Sequence, residues 1–174
     1  MRAALADRLA KFGLELSSEK TRLIQFGRFA RRNRERDGLR KPETFDFLGF
    51  THISSVNIHG RFQLMRRTSR KKLRAKLVAV REQCWQRRHL PVIEQHTWLS
   101  SVLRGHYRYY AVPTNSQTLK RFHVAVRNLW YRALQRRSQK ARWNVKKLKA
   151  FELKFPLPHP KVLHPWPEKR FAAR

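Results

Sequence analysis

Residues 68–88, TSRKKLRAKLVAVREQCWQRR, place Leu73, Leu77, Val80 and Cys84 at steps of four, three and four, with Lys and Arg among the other positions. That spacing is the signature of an amphipathic helix, because 3.6 residues per turn bring the four apolar side chains onto one stripe. Two further segments repeat the pattern. In 93–111, IEQHTWLSSVLRGHYRYYA, the stripe is Leu99, Leu103, His106 and Tyr110. In 116–136, SQTLKRFHVAVRNLWYRALQR, it is Leu119, Phe122, Val126, Leu129 or Trp130, and Ala133. Pro91 and Pro113 stand where helix stops are expected, and Asn115 and Ser116 are residue types that open helices. Three such stripes can close on one another around a small shared core, leaving a cationic exterior.

Outside this region the pattern changes. Residues 2–12 predict a helix with Leu5, Leu9 and Phe12 on one face, and Gly13 sits where a left-handed cap is wanted. Leu14 to Leu16 and Lys20 to Phe26 read as short strands, and Gly27 to Lys41 as a solvated basic loop or disordered arm. Phe45 to Phe50 is a β-type run whose Gly49 lets another backbone or a ligand approach closely. Arg61 to Met65 is its hairpin partner across the turn at Gly60. After Arg137 the chain reads as irregular. Its five prolines between 156 and 167 point to an extended tail pinned by Phe155, Leu157, Leu163 and Trp166. The fold class expected is α+β, mostly α: a β-containing segment 1–65, a three-helix module 66–137 and a basic, Pro-rich tail 138–174.

Composition narrows the partner. The 174 residues hold 41 Lys and Arg against 11 Asp and Glu, a formal net charge of +30. Such an excess opposes compaction unless a polyanion neutralises it, and cationic side chains gain from releasing the counterions condensed on nucleic acid. The 41% of apolar residues is enough to build a core, so this is no disordered basic tail. Anionic membranes are a weaker partner, since the apolar stripes are needed for mutual packing and no run is of membrane-spanning length. A cytoplasmic location follows by default from the lack of any such run or secretory leader. A single cysteine, Cys84, precludes an internal disulfide, and its place on a stripe predicts a buried thiol. The eight histidines include His52 and His59 near a turn, but no zinc-type spacing appears, so no metal site is expected.

Particular residues then stand out. Arg66, Arg67, Arg70, Lys71, Lys72 and Arg74 crowd the start of the first helix. Cations there oppose the helix dipole, which points to use in phosphate contact rather than to helix stability. The run Arg104-Gly105-His106-Tyr107-Arg108-Tyr109-Tyr110 interleaves aromatics with cations, as RNA binding favours. Helical spacing turns His106 and Tyr110 inward and leaves Arg104, Tyr107 and Arg108 as contact candidates. Trp98 and Trp130 are expected in the core. Arg127, Arg132, Arg136 and Arg137 continue a basic face on the third helix, joined by Lys140 and Arg142.

The order of these segments resembles a known family. Gly13-Leu14-Glu15-Leu16, Glu19-Lys20-Thr21 and Phe45-Asp46-Phe47-Leu48-Gly49-Phe50 are similar to the end of the palm in bacterial group II intron reverse transcriptases. Trp98-Leu99, Leu103 to Tyr110, Val112-Pro113, Leu134 to Ser138 and Leu163-His164-Pro165 resemble the thumb, or maturase domain X, and the C-terminal end of those proteins. The resemblance implies that group II intron RNA is the partner and that this chain contributes to splicing or mobility by binding. It makes Phe47, Leu48, Gly49 and Phe50 the hairpin that supports the primer end, with packing between palm and thumb an equal reading. It makes Lys20 the lysine near an incoming nucleotide's phosphates, with a plain surface lysine the alternative.

One departure is decisive for chemistry. Polymerisation needs converging aspartates for two metal ions, and Asp7, Asp37 and Asp46 are scattered. No catalytic residue and no cofactor are therefore expected in this chain, Mg2+ belonging only to a complete polymerase. The catalytic palm would lie before Met1, and an upstream fingers/palm chain and a DNA target are further partners the resemblance admits. Two alternatives follow: a subunit of a split RNA-directed DNA polymerase, or an inert relic of a truncated intron gene.

Overall fold

The computed structural model describes residues 2–17, 19, 21–137 and 144–166. The fold is α+β and mostly α, and the chain divides into two compact units, 1–43 and 44–174.

In the first unit, α1 (Arg2–Ala10) ends as its sequence predicts. Gly13 takes φ 67°, and the N–H groups of Gly13 and Leu14 donate back to the carbonyls of Ala10 and Leu9, satisfying groups the helix end would leave bare. Leu5 and Phe12 nonetheless stay exposed. The short strands expected at 14–16 and 20–26 do not form among the described residues. A strand exists only when its backbone finds a ladder partner, and no neighbouring strand is available to either. The basic stretch expected to be a loop instead contains α2 (Ala30–Arg36). Arg and Glu are good helix formers, the Arg31–Glu35 ion pair spans one turn at 2.9 Å, and buried Ala30 anchors the first turn. Glu43 closes this unit by pairing with Arg22 and Arg34 and accepting from the Gln25 N–H.

The second unit opens on an antiparallel sheet of order β1 (Thr44–Phe47), β2 (Phe50–Val56) and β3 (Phe62–Thr68). The run 45–50 is thus a tight hairpin rather than one strand. Leu48 and Gly49 form its two-residue turn at φ 48° and 76°, and Phe47 pairs with Phe50. Positive φ at both centres suits the right-handed twist of the flanking strands. Gly49 is also a point of close approach, since a Cβ there would lie 2.7 Å from Tyr110 Oη.

Helices α3 (Arg70–Gln86), α4 (Val92–Tyr110) and α5 (Ser116–Gln135) follow, within two residues of the periodicity. Val80, Cys84, Leu99, Leu103, Leu119, Phe122, Val126, Trp130 and Ala133 form one buried cluster, with Leu73, Leu77, Trp98 and Tyr110 packed against it. Burial pushes the Cys84 thiol up to about 12, so it stays protonated and inert. Trp130, not Leu129, is the fully buried member of its pair. Its indole Nε1 donates to Gln95 Oε1 at 2.9 Å, and Gln95 Nε2 donates to the carbonyls of Arg88 and Leu90. A single buried amide thus ties α5 to the α3–α4 connection.

Sheet and helices belong to one compact unit, and the boundary expected between 65 and 66 falls inside β3, which runs on to Thr68 before Ser69 opens α3. The joint is the short 3-10 turn Pro113–Asn115. Thr114 Oγ1 accepts from the Arg66 N–H and donates to the Arg66 carbonyl. Asn115, fully buried, accepts from the Thr68 N–H at 3.0 Å and donates to Thr68 Oγ1 and the Tyr110 carbonyl at 2.8 and 2.9 Å. Its side chain does not cap α5; it serves β3 and the end of α4 instead.

The tail is not irregular from its start. Asn144 caps α6 (Val145–Lys154) by accepting from the Lys147 N–H, and Leu148, Phe151 and Phe155 lean on the core. Helix ends where the prolines begin. Of the expected anchors Leu157 is buried, whereas Leu163 and Trp166 are exposed. The tail is held there by backbone, with the N–H groups of Leu163 and His164 both donating to the Ala111 carbonyl.

Candidate nucleic-acid interface

Ser69 sets the first turn of α3 by accepting from the Lys72 N–H, and Arg70, Lys71, Lys72, Arg74 and Lys76 then project into solvent. None of these five, nor exposed Arg67 on β3, makes an ion pair among the described residues. The reason is stoichiometric. Between 44 and 166 the acids are Asp46, Glu82, Glu94 and Glu152, of which Asp46 accepts from Thr51 and Glu152 serves Arg127 and Tyr131. Among the described residues the cations at the start of α3 have no ion-pair partner, so the field they project is available to an external polyanion.

Two hollows shape that surface. The first, about 650 Å³, runs between α3 and α4, floored by the small residues Ala75, Ala79, Ser101 and Gly105, with Lys72 and Lys76 on the α3 side. The second, about 390 Å³, brings together residues far apart in sequence: Phe47, Leu48 and Phe50 of the β1–β2 hairpin with Arg66 of β3 and Arg108 of α4. Phe47 and Leu48 are exposed there, whereas Phe50 is buried against Tyr109 and Tyr110. Tyr109 Oη donates to the Leu48 carbonyl at 2.8 Å, which fixes the hairpin tip on α4. His164 of the tail hydrogen-bonds to the Arg108 carbonyl and lines the same hollow.

Some candidates serve elsewhere. Tyr107 does not face solvent: it is 4% exposed and hydrogen-bonded to His123 Nδ1 at 3.1 Å. The apolar face of α4 is wider than one stripe, so positions 106 and 107 both fall inside it. Arg137 donates from its guanidinium to the carbonyls of Arg88 and Leu90, closing the α3–α4 connection. Arg127 is engaged with Glu152 at 3.3 Å. Arg104 is exposed on α4 and lines neither hollow, and Arg132 of α5 and Arg136 at its C-cap line a separate groove. Lys20, Lys140 and Arg142 lie outside the described residues. Tyr109 was the residue missed, and its signal was an aromatic off the apolar stripe of its helix.

Behind the interface lies a buried histidine. His106 is 7% exposed, stacks on Phe122 with ring centroids 3.9 Å apart, and its Nε2 has no hydrogen-bond partner among the described residues. Burial, and secondarily Lys76, lowers its pKa from 6.5 to about 4. The unfolded chain therefore takes up a proton at pH values where the folded chain does not. This contribution to stability is fully present above 6.5 and is lost as pH falls from 6.5 towards 4, by roughly 3 kcal/mol at most. His123, lowered by burial and then by His159, acts in the same direction. Denaturant midpoints across this range are expected to drop less steeply for His106→Phe, which keeps the stacking and removes the titration. An unchanged pH slope would show that the ring is not the group responsible.

Among the described residues no three His, Cys, Asp or Glu side chains converge as a metal site would require, and no helix is long and apolar enough to cross a membrane. Comparison with known protein families, with curated proteins and with solved structures gives no match to this chain.

Proposed function

We propose that this chain is an RNA-binding module of the maturase type, related to the palm end and thumb of group II intron reverse transcriptases, whose partner is group II intron RNA. It works by electrostatic clamping and shape recognition: a protein that binds the active RNA fold better than its competitors raises that fold's population. The observation that carries the reading is the run of exposed cations at the start of α3, without an ion pair among the described residues, beside a hollow where Phe47 and Leu48 meet Arg66 and Arg108. Phosphates suit the first, and unstacked bases or a strand end suit the second. No covalent chemistry is assigned to the chain.

The charge reversal Arg67→Glu, Arg70→Glu and Lys71→Glu tests it. All three side chains are exposed, so folding is expected to be unaffected. Each lost phosphate contact lowers the log–log salt slope of RNA binding by about 0.7–0.9, so the triple variant is expected to lose roughly 2–3 from the slope together with affinity. A slope equal to that of the unaltered chain would place phosphate contact elsewhere.

A further inference from the structure

Trp85 is an exposed aromatic side chain of the helical module that neither the core nor the two hollows use. It lies one position past the apolar stripe of α3 and is 49% exposed. The guanidinium carbon of Arg88 sits 4.3 Å from its ring centroid, and Arg88 Nη1 donates to the Trp85 carbonyl at 2.9 Å, so the indole is backed by a fixed cation. In front of it is a groove of about 470 Å³ between α3 and α5, with apolar Leu129 and Ala133 and the three guanidinium side chains of Arg81, Arg132 and Arg136. Glu82 also lines the groove, and none of the three arginines is ion-paired among the described residues. Arg132 in the last turn of α5 and Arg136 at its C-cap are four residues apart, so both side chains reach the same groove.

This combination has a specific complement. An indole face receives a planar base, an apolar floor excludes water beneath it, and paired guanidiniums bind the adjoining phosphates bidentately. A base inside a duplex has both faces covered by its neighbours and cannot use the indole; an unpaired one can. The position is separate from the cluster at the start of α3, since residues 71 and 85 are about 20 Å apart along the helix axis. We propose that the α3–α5 groove is a site for one unpaired RNA nucleotide, its base stacked on Trp85 and its phosphates held by Arg132, Arg136 and Arg81. The inference rests on the RNA-binding reading above and adds where, and in what form, a nucleotide is held.

The test compares two probes on the full chain: a fully paired RNA hairpin, and the same hairpin with one bulged 2-aminopurine nucleotide. The bulged probe is expected to bind about tenfold more tightly, the scale of one base–aromatic stack, with its fluorescence quenched on binding. Trp85→Ala is expected to abolish both the preference and the quenching while leaving the paired hairpin's affinity unchanged. Trp85→Phe should retain most of the preference. Arg132→Gln with Arg136→Gln should reduce the salt slope for the bulged probe more than for the paired one. Equal binding of the two probes by the unaltered chain, or a preference that survives Trp85→Ala, would overturn the site while leaving RNA binding intact. Failure to bind either probe would overturn the RNA reading itself, and capture of an acidic peptide in preference to both would reassign the groove.

Discussion

Asn115→Leu is expected to destabilise the sheet-and-helix unit by on the order of 2–4 kcal/mol, although the two side chains are similar in volume. The amide is fully buried and makes three hydrogen bonds to β3 and the end of α4. Removing it strands the Thr68 N–H, and a buried group left without a partner costs about 1–3 kcal/mol; the Tyr110 carbonyl loses one donor but keeps the Val112 N–H at 2.8 Å. Asn115→Asp recovers little, because its second oxygen would face the Tyr110 carbonyl in place of a donor. Urea titration of the whole chain measures this through the midpoint. A shift below about 1 kcal/mol would mean that the joint between sheet and helices is held by the Thr114–Arg66 pair instead.

Trp130→Ala should cost a comparable amount, about 3–5 kcal/mol, from lost packing and the residual cavity. The indole is 1% exposed, at the meeting of α4, α5 and α6, where it packs edge-on against Phe151 at 5.0 Å. Trp130→Phe separates two contributions, since it keeps most of the volume and deletes only the donor to Gln95 Oε1. Gln95→Leu is the milder companion. The carbonyls of Arg88 and Leu90 that it abandons still receive the guanidinium of Arg137. Equal losses for Trp130→Ala and Gln95→Leu would contradict this division.

How much of this was legible depended on whether a stripe, a partner or a carbonyl carried the information. Helices α3, α4 and α5 were readable because 3.6-residue periodicity records burial directly, and Leu99, Leu103 and Val126 are fully buried where the stripes place them. Helix α6 has a stripe at Leu148, Phe151 and Phe155, but it spans barely two turns before the prolines from 156 break the period. Helix α2 has almost no apolar face and is held by propensity and ion pairs, which periodicity cannot register. The short strands expected at 14–16 and 20–26 failed for the converse reason: alternation is local, while a ladder partner is not.

On the candidate surface, the cations of α3 were legible because surplus charge on a helix start has few structural uses. The hollow of Phe47, Arg66 and Arg108 was not, since it depends on the β1–β2 hairpin turning at Leu48 and on Tyr109 fixing its tip. Arg137 and Arg104 look alike in the chain. Only the carbonyls of Arg88 and Leu90 in the α3–α4 connection, which Arg137 reaches and Arg104 does not, distinguish a closing arginine from an exposed one.

The most direct test is a competition. Residues 1–174 are titrated with a folded group II intron RNA and with a scrambled RNA of equal length, over a range of salt that includes physiological ionic strength. Selective binding of the folded intron that persists near physiological salt is the expected result, because shape recognition adds to the electrostatic attraction common to both RNAs. Equal affinity for the two RNAs, collapsing together as salt rises, would contradict it and leave only a basic fragment that adheres to any polyanion.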